Sequence, residues 1–255
     1  MPFRLEIERS SKETGSNIVL ALDPPLDKPN RMLSRSNEIL KAVTPYICAV
    51  KINRQLVLPV GLFNGVQKIV GLIHDSGLSA IMDCKINDIG YTNRAIAEFY
   101  YRAGFDAVIA NPFVGWEEGL QPVFEVAKKM SRGVILLVYM SHKGAEEGYG
   151  QKVRNSETGK PMSQYVVFAR KALSWQADGA VVGATFPEKI REVHAILRDR
   201  VPIYSPGVGA QGGQIESALM AGVRYLIVGR TITLAEDPAE TARLIRDSAR
   251  HYLEA

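Results

Sequence analysis

Residues 79–92 read Ser-Ala-Ile-Met-Asp-Cys-Lys-Ile-Asn-Asp-Ile-Gly-Tyr-Thr. A short aliphatic run ends in charge at Asp83, and a helical pattern begins near Tyr91. The same sentence structure recurs along the chain. Apolar runs at 17–23, 47–52, 79–83, 107–110, 134–139, 180–183, 203–205 and 225–228 each precede a longer amphipathic stretch. Most of these runs are continuously apolar, as strands buried on both faces of a parallel sheet must be. The stretches between them carry helical spacing, as in Leu62-Val66-Ile69-Val70-Ile73 and Ile190-Val193-Ile196-Leu197. Asp237-Pro238 reads as the start of the last helix. Eight strands alternating with helices predict a single (βα)8 barrel across residues 1–255, with its active site at the C-terminal ends of the strands.

Composition fits one such domain. The chain has 255 residues, close to the roughly 250 typical of this barrel. Its usage, 46% hydrophobic and 23% charged, is that of an ordinary globular core. Cys48 and Cys84 lie in or beside apolar runs without CxxC spacing, so they read as buried thiols, as in a reducing cytoplasm. No apolar run is long enough to span a membrane, and the N-terminus lacks a signal-peptide core. The net charge of +4 suits an anionic small molecule, while the scattered basic residues do not suit nucleic acid. A soluble cytoplasmic enzyme is the expectation.

Charges at strand ends carry the chemistry. Asp23, Lys51 and Asp83 close three successive apolar runs, and Lys85 lies two residues beyond Asp83. If strand geometry persists, alternation points Asp83 and Lys85 into the same barrel mouth. Buried charges must pair, so these residues predict an alternating network of lysines and aspartates. A protonated lysine in such a network is a general acid. Asn87 or Asp88 is placed to cap the helix that follows.

A second constellation follows the last two runs: Ser205-Pro206-Gly207-Val208-Gly209-Ala210-Gln211-Gly212-Gly213, and Val228-Gly229-Arg230-Thr231-Ile232. Barrel enzymes frequently hold phosphate with these two loops. Glycines let backbone N–H groups approach the oxygens, and Arg230 adds a bidentate charge. Other candidates carry less. The four histidines lie apart, which disfavours a metal site, and Ser141 lacks a His/Asp partner for a triad. Trp116, Trp175, Tyr91, Tyr100 and Tyr101 fall on helical patterns and read as packing residues. The polar, glycine-rich segment from His142 to Ser163 has no helical period and reads as a lid or an insertion.

These motifs together resemble the orotidine 5′-phosphate decarboxylase family. The resemblance spans nearly the whole chain: LALD ending at Asp23, VKIN around Lys51, DCKINDIGYT from Asp83, MSH from Met140, SPGVGAQGG from Ser205 and VGRTI from Val228. It implies that Lys85 protonates C6 of the pyrimidine as carbon dioxide leaves, with Asp83 against the departing carboxylate. It implies that Asp23 and Lys51 bind ribose hydroxyls and that Ser141 reads the pyrimidine edge. Asp88, Ile89 and Thr92 would contact substrate across a homodimer interface. Pro206, Gly207, Val208, Gly209, Gln211, Gly229 and Arg230 would hold the phosphate. Neither metal nor organic cofactor is implied. The His142–Ser163 segment is longer than the family's usual connection. Two other readings compete. The first is a magnesium-dependent sugar-phosphate decarboxylase or aldolase of the same suprafamily, whose pattern has an acidic metal ligand where this chain has Lys51. The second is a non-catalytic nucleotide-binding barrel.

Overall fold

The computed structural model describes residues 2–154, 159–209 and 214–253, apart from the side chains of His251 and Leu253. Eight parallel strands close into a barrel. They are β1 (Ile18–Ala21), β2 (Ala49–Asn53), β3 (Ser79–Ile86), β4 (Ala107–Ala110), β5 (Gly133–Tyr139), β8 (Gly179–Val182), β9 (Ile203–Pro206) and β10 (Tyr225–Val228). Strands β6 (Lys152–Arg154) and β7 (Pro161–Ser163) form a separate antiparallel pair. Each barrel strand pairs with its neighbours around the ring, and β1 closes it on β10 with Val19 opposite Ile227. The eight strands fall on the eight apolar runs of the sequence. β3 differs, continuing to Ile86, where it pairs with Ala110 after a register shift.

Alternation along these strands builds two cores. Ile18, Leu20, Val50, Met82, Val108 and Leu136 face outward and are buried under the helices. Val19, Ala21, Ala49, Ile81, Ile109, Ile135 and Leu137 face inward and fill the barrel. A ring of helices needs that double burial, which is why the strands are apolar on both faces. Tyr204 and Tyr225 stack inside with ring centroids 4.7 Å apart. Below them the helix Phe3–Thr14 closes the N-terminal pole, inserting Phe3 and Ile7 into the inner core. Its Ser10 hydroxyl donates to the Cys48 carbonyl at 2.7 Å. The opposite pole, at the C-terminal ends of the strands, is left open.

The His142–Ser163 segment contains more order than its composition suggests. A short helix, Ala145–Gly148, precedes the β6–β7 pair. The Tyr139 hydroxyl donates to Glu146 at 2.6 Å, and Lys189 lies 3.4 Å from the same carboxylate. The Tyr165 N–H donates to the Tyr149 carbonyl at 2.9 Å, which ties the far end back to the barrel. Glu146, one of the polar residues that hid this structure from the sequence, is also one that anchors it. Tyr91 also departs from expectation, being 86% exposed rather than packed. Trp116 and Trp175 do pack, with centroids 5.1 Å apart and Phe124 beside both. Among the described residues no single helix is long and apolar enough to cross a membrane. The bent pair Arg54–Val60 with Leu62–Asp75 has the composition, but it turns through 98° and buries Leu56, Val66, Ile69 and Ile73.

The plug at the closed pole makes a direct prediction. Phe3→Ala empties a fully buried ring site and is expected to cost about 3 kcal/mol in denaturant unfolding, with substrate KM unchanged. Unaltered stability would show that the helix does not seal the barrel.

Candidate active site

A cavity of about 220 Å³ opens at the C-terminal ends of the barrel strands. Asp23, Lys51, Asp83, Lys85, Ser141, Pro206, Gly207, Val208, Gly229 and Arg230 all line it. These residues come from strand ends and loops widely separated in sequence, and only barrel closure brings them together.

The floor is a charge network centred on Asp83. One oxygen of its carboxylate accepts from Lys51 Nζ at 2.8 Å and the other from Lys85 Nζ at 2.6 Å. Asp83 is 7% exposed and Lys51 5%. Burial alone would push the Asp83 carboxyl up, but the two ammonium groups overturn it and hold the carboxyl below its ordinary value. The same charge, after burial, raises the Cys84 thiol to about 12, so Cys84 is a buried thiol and not a nucleophile.

Lys85 reaches the network by an unexpected route. Strand geometry does not persist through it: Lys85 has a φ of +50°, a left-handed conformation rare for a residue with a side chain. The β3–β4 register breaks between Met82 and Ile86 at the same place. The side chain still faces the cavity, while Cys84 and Ile86 face the outer core. Holding such a backbone costs about 1–3 kcal/mol. The Asp83 contact and the pairing of Ile86 with Ala110 keep it in place.

Asp23 presents an unusual acceptor. Its Oδ1 is buried without a partner among the described residues, while its carbonyl accepts from the Thr233 hydroxyl at 3.1 Å. A buried unsatisfied oxygen is costly unless a ligand hydroxyl fills it. Beside it Gly229 is closely packed: a Cβ there would lie 3.2 Å from Ala21 Cβ and 3.3 Å from Asp23 Oδ2. Gly207 takes a φ of +98°, which favours glycine and turns the loop toward the cavity. Ser141 is fixed from behind. Thr185 donates its hydroxyl to the Ser141 carbonyl at 2.9 Å, and a Cβ on Gly183 would lie 2.5 Å from Ser141 Cα.

Some expected site residues lie elsewhere. Gly209 packs against Thr231 in an adjoining groove, and Gln211 lies outside the described residues. Asp88, Ile89 and Thr92 do not line the cavity of their own chain, and Ile89 is 68% exposed. Neither Asn87 nor Asp88 caps the helix Gly90–Arg102, whose N-cap position is Ile89. The Asp88 carboxylate accepts from the Ile89 N–H at 2.7 Å instead. Conversely, the cavity includes Ile109, Leu137 and Val181, which no motif marked, and Asn53, Met140 and Thr231, which stand in the motifs without an assigned role. Asn53 was legible, two residues past Lys51 on the same face. The apolar wall of Ile109, Leu137 and Val181 was not, because core strands have the same composition. Among the described residues no three His, Cys, Asp or Glu side chains converge as a metal site would require.

Replacing Asp83 by Asn breaks a buried ion network and is expected to lower stability by about 3–5 kcal/mol. A depressed carboxyl pKa stabilises the fold above the unfolded value of 3.8 and loses that contribution as pH falls through the folded value. The stability gap between wild type and Asp83→Asn in urea titrations is therefore constant at neutral pH and narrows below pH 3.8. A gap that widens on acidification would contradict the assignment.

Comparison with known proteins agrees with this architecture. Residues 16–245 match the model of the orotidine 5′-phosphate decarboxylase / HUMPS family. The chain is 35% identical over 235 residues to an orotidine 5′-phosphate decarboxylase of Methanosarcina mazei, covering 90% of this chain and 93% of that one. It is 36% identical over 234 residues to one from Pyrococcus abyssi, covering 91% and 99% respectively. Among solved structures, an orotidine 5′-monophosphate decarboxylase from Methanocaldococcus jannaschii, complexed with the inhibitor BMP, superposes with a TM-score of 0.76 at 29% identity. That match covers 94% of this chain and 99% of that one.

Proposed function

The chain belongs to the orotidine 5′-phosphate decarboxylase / HUMPS family, and on that premise we propose that it converts orotidine 5′-monophosphate to uridine 5′-monophosphate and carbon dioxide in pyrimidine biosynthesis. The observation that carries this reading is the Asp83 carboxylate bridging two lysines on the floor of the cavity. In the proposed reaction the bond between C6 and the substrate carboxylate breaks, and its electron pair stays at C6. Lys85 Nζ delivers a proton to C6 and carbon dioxide departs; the lysine then regains its proton from solvent. The Asp83 charge is unfavourable beside the substrate carboxylate and no longer opposes it once neutral carbon dioxide has formed. Ile109, Leu137 and Val181 offer that product an apolar wall and offer a carboxylate no hydrogen bond. Asp23 and Lys51 bind the ribose hydroxyls, and Ser141 reads the pyrimidine edge. The backbone of Pro206–Val208, with Gly229 and Arg230, holds the phosphate, and Gln211 from the same loop is assigned to it as well.

The family also contains metal-dependent chemistry, and one contact argues against it here. Lys51 Nζ sits 2.8 Å from Asp83, on the flank a divalent cation would need. The reaction is therefore written without a divalent cation at that flank. The segment 88–92 supports a homodimer with shared sites. Ile89 and Tyr91 are apolar, 68% and 86% exposed, and flank Asp88 and Thr92 on a surface outside the chain's own cavity. A second copy covers them, and Asp88, Ile89 and Thr92 complete its site.

Ultraviolet assay with orotidine monophosphate tests the activity, which EDTA leaves unchanged. Lys85→Ala is expected to lower kcat at least about 10³-fold while still binding product, the scale of a lost general acid. Binding without consumption by the wild-type protein would favour the nucleotide-binding barrel, and EDTA sensitivity the metal-dependent sister group. Mixing Asp88→Ala and Lys51→Ala subunits should restore activity, because each hybrid dimer has one intact site. No recovery despite proven exchange of subunits would rule out shared sites.

A further inference from the structure

Asn93 lies in the first turn of the helix Gly90–Arg102 and is completely buried, 0% exposed. A buried amide must find partners for all its polar atoms. Asn93 finds them on backbone alone. Its Oδ1 accepts from the Asp88 N–H at 2.9 Å, and its Nδ2 donates to the Asp88 carbonyl at 2.5 Å and to the Gly119 carbonyl at 3.0 Å. A flipped amide would set donors against an N–H and an oxygen against two carbonyls, so the partners dictate its orientation. Both backbone polar groups of Asp88 are thus held by one side chain. The third bond ties that side chain to the loop after β4.

That loop is itself tightly seated. A Cβ on Gly90 would lie 2.8 Å from the Glu118 carbonyl oxygen, and one on Gly119 would lie 2.8 Å from the Val114 carbonyl oxygen. Glu118 holds a φ of +51° between them. The loop after β3 therefore rests on the loop after β4 without intervening side chains, and Asn93 is the clasp. This rigidity matters because Asp88 is exposed, and its side chain has only the adjacent Ile89 N–H to orient it among the hydrogen bonds described. An exposed carboxylate that serves a second subunit must be aimed by its backbone.

We propose that Asn93 is a positioning residue for the site of the opposite subunit, fixing Asp88 through its backbone while touching no substrate. The proposal rests on the shared-site homodimer. It predicts that Asn93→Ala lowers kcat/KM on the order of 10²-fold, the scale of an ångström-sized misplacement. It also predicts that the same change made in an Asp88→Ala background causes little further loss.

The decisive experiment mixes Asn93→Ala with Lys51→Ala subunits, beside the Asp88→Ala and Lys51→Ala mixture as control. In the hybrid the Asn93→Ala subunit contributes an intact pocket, and the Lys51→Ala subunit contributes a correctly held Asp88. Recovery in both mixtures is the expected result. Recovery in the control alone would show that Asn93 serves its own subunit and would overturn the proposal. Failure of the control despite subunit exchange would remove the shared-site reading and this inference with it. If Asn93→Ala yields no folded protein, Asn93→Ser, which keeps a short polar side chain, takes its place in the same mixtures.

Discussion

One carboxylate in this molecule is paired with two ammonium groups, that of buried Lys51 and that of partly buried Lys85. Asp83 gives one oxygen to Lys51 and the other to Lys85, and much of the site geometry follows from that constraint. Lys51 must leave β2 pointing into the barrel, so β2 and β3 must pair with Asn53 opposite Asp83. Lys85 must follow Asp83 closely yet stay in the cavity, so the chain accepts a left-handed residue and a register break. With both oxygens engaged, the carboxylate is held ionised where a substrate anion would otherwise push its proton affinity up. Strain in the backbone and burial of charge are both costs, and they meet at one point in the fold.

Burial alone does not identify such a point. Asp106 is also a buried carboxylate, but it sits at the opposite end of the barrel strands. There it accepts from the Ala80 N–H at 2.8 Å, meets His74 Nε2 at 2.8 Å and pairs with Arg132. That cluster fastens strand starts to helix ends and borders no part of the active-site cavity. What separates Asp83 from Asp106 is the pole of the barrel and the space in front of the carboxylate, and the N-terminal helix fixes the difference by filling one pole with Phe3 and Ile7.

The barrel was legible because its physics is periodic. Strands buried on two faces give unbroken apolar runs, and helices on a barrel give three-and-four spacing, so the eight runs fell on the eight strands. The cavity charges were legible because a charge that ends an apolar run has no packing explanation. Other features leave no such trace. Nothing in Asp83-Cys84-Lys85 announces a positive φ, since the conformation is imposed by pairing with β4 and by the partner carboxylate. Ile109, Leu137 and Val181 line the cavity with side chains indistinguishable from core. The hairpin of β6 and β7 is too short and polar for alternation to register. Asn93 offers a lone amide on a helix, and its role depends on the loop after β4, 26 residues further along the chain.

In the proposed reaction Lys85 carries the proton that ends on C6 of the pyrimidine. The same lysine must then be able to remove that proton from the product, since a catalysed step runs in both directions. Uridine monophosphate incubated with the protein in deuterium oxide and followed by proton NMR tests this directly. The wild-type protein is expected to replace the C6 hydrogen with deuterium, and Lys85→Ala is not. Exchange by Lys85→Ala at the wild-type rate would contradict that role.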